Sequence, residues 1–279
     1  MTKDVLKAGN TAVVTGGAAG IGLAAAHRFA SYGMSVVLVD IRPELFASAE
    51  KTLIESGAKV VMTAAIDVAD RAAVDNLRDD INNRFGGVDV LMCNAGMHAA
   101  NDIFGPPEAW HRVIDVNMWG VVNFCQSMVV GMIAAEKPGL IINTGSKQGI
   151  TTPPGDPVYN MSKAGVKVFT EALAHHLREV GADVTAHLLV PGFVFTDLTR
   201  RSRTEKPAGA WTPDQTADFM MERLRAGDFY IICPDNDVTR EMDNKRMAWA
   251  MGDIVENRSA LSRWDKAWAG AFDDYIKGA

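Results

Sequence analysis

Val13-Val14-Thr15-Gly16-Gly17-Ala18-Ala19-Gly20-Ile21-Gly22-Leu23-Ala24 is the stretch that decides the fold. It begins inside an apolar run, Thr11 to Val14, which reads as a buried strand. It continues into an alanine-rich segment, Leu23 to Ala30, which reads as a helix. Strand, glycine-rich turn and helix together aim backbone N–H groups and a helix N-terminus at a pyrophosphate. Glycines let such a turn close and keep a Cβ out of the ligand's path. The spacing is T-G-x-x-x-G-x-G, a variant of the general dinucleotide fingerprint G-x-G-x-x-G.

Outward from this turn, apolar runs alternate with helical patterns. Runs at 11–15, 35–40, 59–65, 88–94, 139–144, 183–190 and 228–233 are continuous rather than alternating, as in strands buried on both faces. Helical patterns lie near 20–32, 43–56, 70–85, 107–134, 158–180 and 213–226. The alternation predicts an α/β fold, a doubly wound sheet of about seven parallel strands with right-handed crossovers and helices on both faces. Thr212-Pro213-Asp214-Gln215 carries a capping-box pattern with proline at the first helical position. No linker, low-complexity segment or repeat divides the chain, so 1–279 reads as a single domain. Within it, 196–211 is a polar, basic, irregular loop and 236–279 a C-terminal extension containing Trp249, Trp264 and Trp268. Irregular segments of this length in compact domains are usually mobile or functional.

Composition narrows the function classes. A net charge of −6 argues against an electrostatic partnership with nucleic acid or an anionic membrane. Cys93, Cys125 and Cys233 are too few and too scattered for a disulfide framework or a zinc site, and each sits in an apolar run. The histidines show no metal-ligand spacing, so no catalytic metal is expected. The N-terminal residues Met1 to Lys7 lack the apolar region of a secretory signal. The run Val121 to Ala135 is interrupted by polar residues and falls short of the roughly 20 residues that span a bilayer. A cytoplasmic location is the expectation.

Candidate chemistry gathers after the strands. Asp40 ends the second apolar run, 24 residues beyond Gly16, where a carboxylate can accept both ribose hydroxyls of an adenosine and repel a 2′-phosphate. Arg42 softens that preference, but Ala18 and Ala19 give the turn no basic side chain, so NAD is favoured over NADP. Tyr159 and Lys163 stand four apart on one helical face. An ammonium beside a phenol favours phenolate, which suits a general acid or base working on an alcohol or ketone. Ser146, 13 residues before Tyr159 and just past a buried strand, is placed to hydrogen-bond a substrate oxygen as charge develops on it.

With these residues the chain resembles the short-chain dehydrogenase/reductase family over most of 10–195. The glycine motif is followed in order by Asp67-Val68, by Cys93-Asn94-Ala95-Gly96 in place of N-N-A-G, by Asn117, by Ser146, Tyr159 and Lys163, and by Pro191-Gly192. The resemblance implies a Rossmann-like fold and a catalytic group of Asn117, Ser146, Tyr159 and Lys163, with Asn117 anchoring a proton-relay water. It implies a cofactor site built from Gly16, Ala19, Gly20, Ile21, Gly22, Asp40, Asp67, Val68, Asn94, Ala95, Gly96, Tyr159, Lys163, Pro191, Gly192, Val194 and Thr196. Lys147-Gln148 departs from the small residues usual after the serine.

The function expected is NAD-dependent interconversion of a secondary alcohol and its ketone. Met97, His98, Phe193, Phe195 and Trp211 are the candidate substrate walls, and their apolar, aromatic character suggests a bulky apolar or aromatic small molecule. A cofactor-binding regulator of weak activity is the alternative from another class, but it would be expected to have lost Tyr159 or Lys163. A sugar-nucleotide epimerase or dehydratase of the extended branch would show T-G-x-x-G-x-x-G. Loop 196–211, bearing Arg200, Arg201, Arg203 and Lys206, is expected to act as a substrate lid. The resemblance and the apolar run Val121 to Ala135 point to a homodimer or homotetramer.

Overall fold

A computed structural model describes residues 2–99, 102–200 and 202–278. The seven apolar runs form one parallel sheet: β1 Thr11–Thr15, β2 Ser35–Asp40, β3 Val61–Ala65, β4 Val90–Cys93, β5 Gly139–Thr144, β6 Val184–Val190 and β7 Tyr230–Ile232. Their spatial order is β3-β2-β1-β4-β5-β6-β7, with every neighbouring pair parallel. The order reverses between β1 and β4, which opens a crevice at the carboxyl ends of those strands. Four strands are shorter than their apolar runs, because 59–60, 88–89, 183 and 228–229 lead into pairing and Asn94 and Cys233 leave it.

Helices cover both faces, so β1, β2, β4 and β5 are buried throughout. Two hydrophobic clusters result, one on each side of the sheet. One gathers Val13, Leu91, Phe124, Met128, Ile141 and Val166. The other gathers Val14, Phe29, Leu38, Leu53, Leu140 and Met220. Burial of this kind contributes about 25 cal/mol per Å² of apolar surface and holds the layers together. Thr212 forms the expected capping box with Gln215 at the start of the helix Pro213–Ala226.

The helix Pro107–Ala134 is long and apolar enough by composition to cross a membrane, with 67% of its apolar window buried inside the fold. Val121, Phe124, Cys125, Met128 and Met132 all face the first cluster. The apolarity that suggested a subunit contact is therefore largely consumed by the subunit's own core. A π turn at Asp115–Trp119 interrupts this helix and carries Asn117 at its centre; such turns recur at functional sites.

The extension folds into the helices Arg240–Val255 and Ala269–Lys277 around a short 3-10 turn at Ser262–Trp264. Trp249 is buried, donates from Nε1 to the Ser262 hydroxyl at 2.7 Å, and meets the rings of Phe272 and Tyr275. The Arg258 guanidinium lies 4.1 Å over its indole. The tryptophans Trp249 and Trp268 thus pack within the subunit, while Trp264 stays 37% exposed.

Glycines at helix contacts give a paired test. A Cβ on Gly149 would stand 2.5 Å from the Lys163 carbonyl carbon, whereas one on Gly131 would meet nothing. Gly149→Ala should destabilise the protein by about 1–3 kcal/mol, the cost of overpacking. Gly131→Ala, in an exposed helical position, should stabilise it by about 0.5–1 kcal/mol. Denaturant unfolding of the two variants checks both signs, and equal effects would show that the backbone beside Gly149 yields to a methyl group without cost.

Candidate active site

A cleft of about 390 Å³ opens where the strand order reverses. Gly16, Ala19, Gly20 and Ile21 form its floor beside β1, and Asp40 and Asp67 stand at one end. Gly16 and Gly20 hold φ angles of +59° and +56°, and a Cβ on Gly16 would stand 2.9 Å from Ala95 Cα. The helix Gly20–Ser31 begins at Ala19 without a side-chain cap and without an acidic residue in its first turn. Its first N–H groups are thus left for an anion at the cleft floor, which fits the pyrophosphate of a dinucleotide. Gly22 does not line the cleft; a Cβ there would come within 2.1 Å of the Gly16 carbonyl oxygen, so this glycine serves the closure of the turn.

Asp40 is buried and faces the cleft. Its Oδ2 accepts from Ala18 N at 3.2 Å, and its Oδ1 accepts from Arg42 N at 3.2 Å and from Arg42 Nε at 3.4 Å. Arg42 lines the cleft too and reaches Asp197 across it at 3.2 Å. Asp67 pairs with Arg112 at 2.7 Å. Val68 lines the wall and would clash with any Cβ on Gly120. Asn94, Ala95 and Gly96 follow β4: Asn94 N and Ala95 N both donate to the Thr15 hydroxyl, at 2.8 and 3.0 Å.

The second half of the cleft holds Ser146, Tyr159 and Lys163, with Pro191, Gly192, Val194 and Thr196 on its far wall. The helix Pro157–Glu179 supplies Tyr159 and Lys163, and Asp156 caps it by accepting from Tyr159 N at 3.2 Å. Lys163 is buried and donates from Nζ to the Thr144 carbonyl at 2.8 Å, on the end of β5. Burial draws its ammonium down to about 8.

Tyr159 departs from the expectation that a neighbouring ammonium lowers its pKa. Its hydroxyl is pushed up to about 12, first by burial and then by the Asp156 carboxylate, with the nearby Ser146 hydroxyl pulling the other way. Lys163 Nζ stands 5.8 Å from the Tyr159 ring centroid and spends a hydrogen bond on the Thr144 carbonyl, which is why burial prevails.

Asn117 is completely buried and does not line the cleft. Its Oδ1 accepts from Met97 N at 2.7 Å, and its Nδ2 donates to Met97 O at 2.9 Å and to the Ser162 hydroxyl at 3.1 Å. The π turn thereby clamps the segment after β4. Of the five candidate substrate walls, only Met97 lines the cleft. His98 instead stacks on the Tyr159 ring, with centroids 3.8 Å apart and planes 24° off parallel. Its Nδ1 meets Asp156 Oδ2 at 2.8 Å, and since an ionised carboxylate only accepts, Nδ1 carries the proton.

Phe193, Phe195 and Trp211 do not line the cleft either. Trp211 N donates to Phe193 O and Phe195 N to Trp211 O, both at 2.9 Å, so these residues close the base of loop 196–211. The Trp211 indole turns to Phe219 and the second core cluster, and the Phe193 ring lies under the Arg203 guanidinium. The loop itself meets the cleft through Thr196, Asp197, Leu198 and Thr199. Its charges are mostly spent locally: Lys206 donates to Ala210 O, Arg203 to Thr199 O, and Arg200 pairs with Asp197. Arg201 lies outside the described residues.

Sequence reasoning missed Arg112, Thr144, Val116 and Leu198 as cleft residues. Only Thr144 had a readable signal, a hydroxyl ending the strand just before Ser146. Among the described residues there is no His, Cys, Asp or Glu group that could hold a metal ion.

Comparison with known proteins agrees with this geometry. The short chain dehydrogenase family description matches residues 10–207. A 1-deoxy-11-beta-hydroxypentalenate dehydrogenase of Streptomyces avermitilis is 32% identical over 246 residues, covering 86% of this chain and 90% of its own. A short chain dehydrogenase/reductase from Burkholderia phymatum, solved in complex with NAD, superposes with a TM-score of 0.81 at 30% identity and covers 90% of this chain and 96% of its own. A metagenomic short-chain oxidoreductase in complex with NADP gives 0.69 at 27% identity, over 82% and 98% of the two chains. The chain therefore belongs to the short-chain dehydrogenase/reductase family and is an oxidoreductase with a nicotinamide cofactor site.

Proposed function

We propose that this protein interconverts a secondary alcohol and its ketone, with NAD as redox partner and Tyr159 as the proton-transfer group. The observation that carries the proposal is that the Tyr159 phenol, Ser146 and the buried Lys163 line the same cleft as the glycine turn. A bound nicotinamide supplies the hydride chemistry. Gly16, Ala19, Gly20 and Ile21 would hold its pyrophosphate, Asp40 the adenosine ribose, Asp67 and Val68 the adenine side, and Lys163 the second ribose. Asn94, Ala95, Gly96, Pro191, Gly192, Val194 and Thr196 would complete that wall.

Ser146 holds the substrate oxygen, and Tyr159 gives it a proton or takes one from it. A phenol near 12 is protonated at neutral pH, so the resting site is set to donate to a carbonyl. Asn117 keeps one oxygen lone pair beyond its Met97 bond, and a relay of protons from Lys163 would use it. Met97, Val116 and Leu198 make an apolar wall, which with a relative acting on a hydroxypentalenate supports a bulky apolar substrate.

Tyr159→Phe should still bind NADH but lose turnover by at least ~10²-fold, the scale of general acid–base catalysis. NADH fluorescence titration beside single-turnover kinetics separates the two effects, and near-normal turnover would remove Tyr159 from the mechanism.

Cofactor choice turns on Asp40, whose buried carboxylate would meet a 2′-phosphate as a like charge. The wild type should show a higher kcat/KM with NAD than with NADP, and Asp40→Ala should narrow the gap. An enzyme that prefers NADP would show that Arg42, which lies against Asp40 at 3.4 Å, governs the pocket instead.

Lys163 also predicts a pH dependence of stability. Its pKa is about 8 in the folded protein against an ordinary 10.5. Across that window the unfolded chain keeps a proton that the folded protein has released, so stability rises with pH. The gain is on the order of 3 kcal/mol and should vanish in Lys163→Met. Urea unfolding of both proteins at the two ends of the window measures it, and parallel curves would show a solvated ammonium.

A further inference from the structure

A second cavity, of about 60 Å³, is lined by Lys147, Ile150 and Thr151 just after Ser146 and by residues of the C-terminal extension. Lys147, Thr151, Asp243, Arg246 and Arg263 line it. Lys147 Nζ takes up both nearby carboxylates, Asp243 at 2.7 Å and Asp235 at 3.4 Å. Arg246 and Arg263 are left without a hydrogen bond or ion pair to any described residue. Arg246 Nε is buried and unpartnered. Arg263 rests on the rings of Trp264 and Phe272, at 4.7 and 5.3 Å. Burial and then the charge of Arg246 draw it down to about 10.

Lys147, Arg246 and Arg263 thus face Asp243 across a void, with Asp235 reaching Lys147 from outside its lining, and the buried Nε of Arg246 has no acceptor. Leaving that buried donor unmade is costly, and like charges held together raise the cost further. A planar guanidinium fork is suited to a small oxyanion, which would satisfy the donors and cancel the surplus charge. A single water needs about 10–15 Å³ of such space, so a void of about 60 Å³ admits an ion of phosphate size and no nucleotide.

We propose that Arg246, Arg263 and Lys147 form a binding site for a small inorganic oxyanion of the phosphate class, separate from the cofactor cleft. Its position gives it a route to the active site. Lys147 directly follows Ser146, and Asp235, which shares the Lys147 ammonium, accepts from Phe193 N at 3.2 Å beside Gly192. A bound oxyanion therefore ties the extension to the turns that carry Ser146 and Gly192. The site does not depend on the reaction proposed above.

Calorimetric titration of the full chain with inorganic phosphate, at constant ionic strength, tests it without any activity readout. The wild type should bind phosphate saturably, and R246Q and R263Q should each weaken that binding about tenfold or more, the loss expected for one hydrogen bond to a charged group. Without phosphate, R246Q should melt no lower than the wild type, because it removes one of two unpaired cations. R263K, which keeps the charge but not the fork, should weaken phosphate binding less than R263Q. Equal phosphate binding in the wild type and both glutamine variants would place the ion elsewhere, at the glycine turn for instance, and overturn the proposal. Absence of binding to the wild type, or a lowered melting temperature in R246Q without phosphate, would assign the guanidiniums to packing and overturn it as well.

Discussion

One hydroxyl, that of Thr15, holds the two halves of the sheet in the relation on which the site depends. It accepts from Asn94 N and Ala95 N where β1 and β4 diverge, the point at which the sheet order reverses. Asn94 returns the link, donating to the carbonyls of Thr15 and Gly16 at 3.3 Å and accepting from the Thr144 hydroxyl at 3.4 Å. Thr144 in turn offers its carbonyl to Lys163. A continuous polar path therefore crosses β1, β4 and β5 and ends at the buried ammonium. Strands covered on both faces leave mainly their ends for polar groups, and these side chains gather at the carboxyl end.

The same burial sets the electrostatics. Tyr159 and Lys163 are both buried, and each is displaced toward its neutral form, the phenol upward and the amine downward. Asp156 adds to the first effect while also capping the helix and holding His98 against the phenol ring. One carboxylate thus fixes the start of the helix, the orientation of a ring and part of the field at the hydroxyl. The segment that follows β4 is locked from the opposite side by Asn117 in its π turn.

The sheet and most of the cleft were legible in the sequence because their signals are local. An apolar run needs only its own residues to announce a strand, and the glycine turn needs only its spacing. What stayed hidden was direction and partnership. His98, Phe193, Phe195 and Trp211 lie in irregular backbone, where no period of two or 3.6 tells which way a side chain turns. His98 turned to a ring, and the other three closed a loop base. Arg112 was unreadable because its partner Asp67 is 45 residues away in sequence, and the fate of Lys147 depends on Asp243, from an extension outside the recognised motifs. The Tyr159–Lys163 spacing was read correctly as one helical face, but spacing says nothing of how far burial outweighs a neighbouring charge.

The base of loop 196–211 has a consequence for how such an enzyme can change. Phe193, Phe195 and Trp211 close that base with backbone hydrogen bonds and a strand-like bridge between Val194 and Trp211. Everything between is an excursion whose ends are fixed by its own neck, with Trp211 keyed into the core and the capped helix Pro213–Ala226 following at once. Residues can be added to or removed from the excursion without shifting the register of β6 or β7. Over evolutionary time the segment that meets the cleft through Leu198 can therefore be rebuilt as an exchangeable cassette, while the sheet and the Ser146, Tyr159 and Lys163 side chains it positions stay where they are.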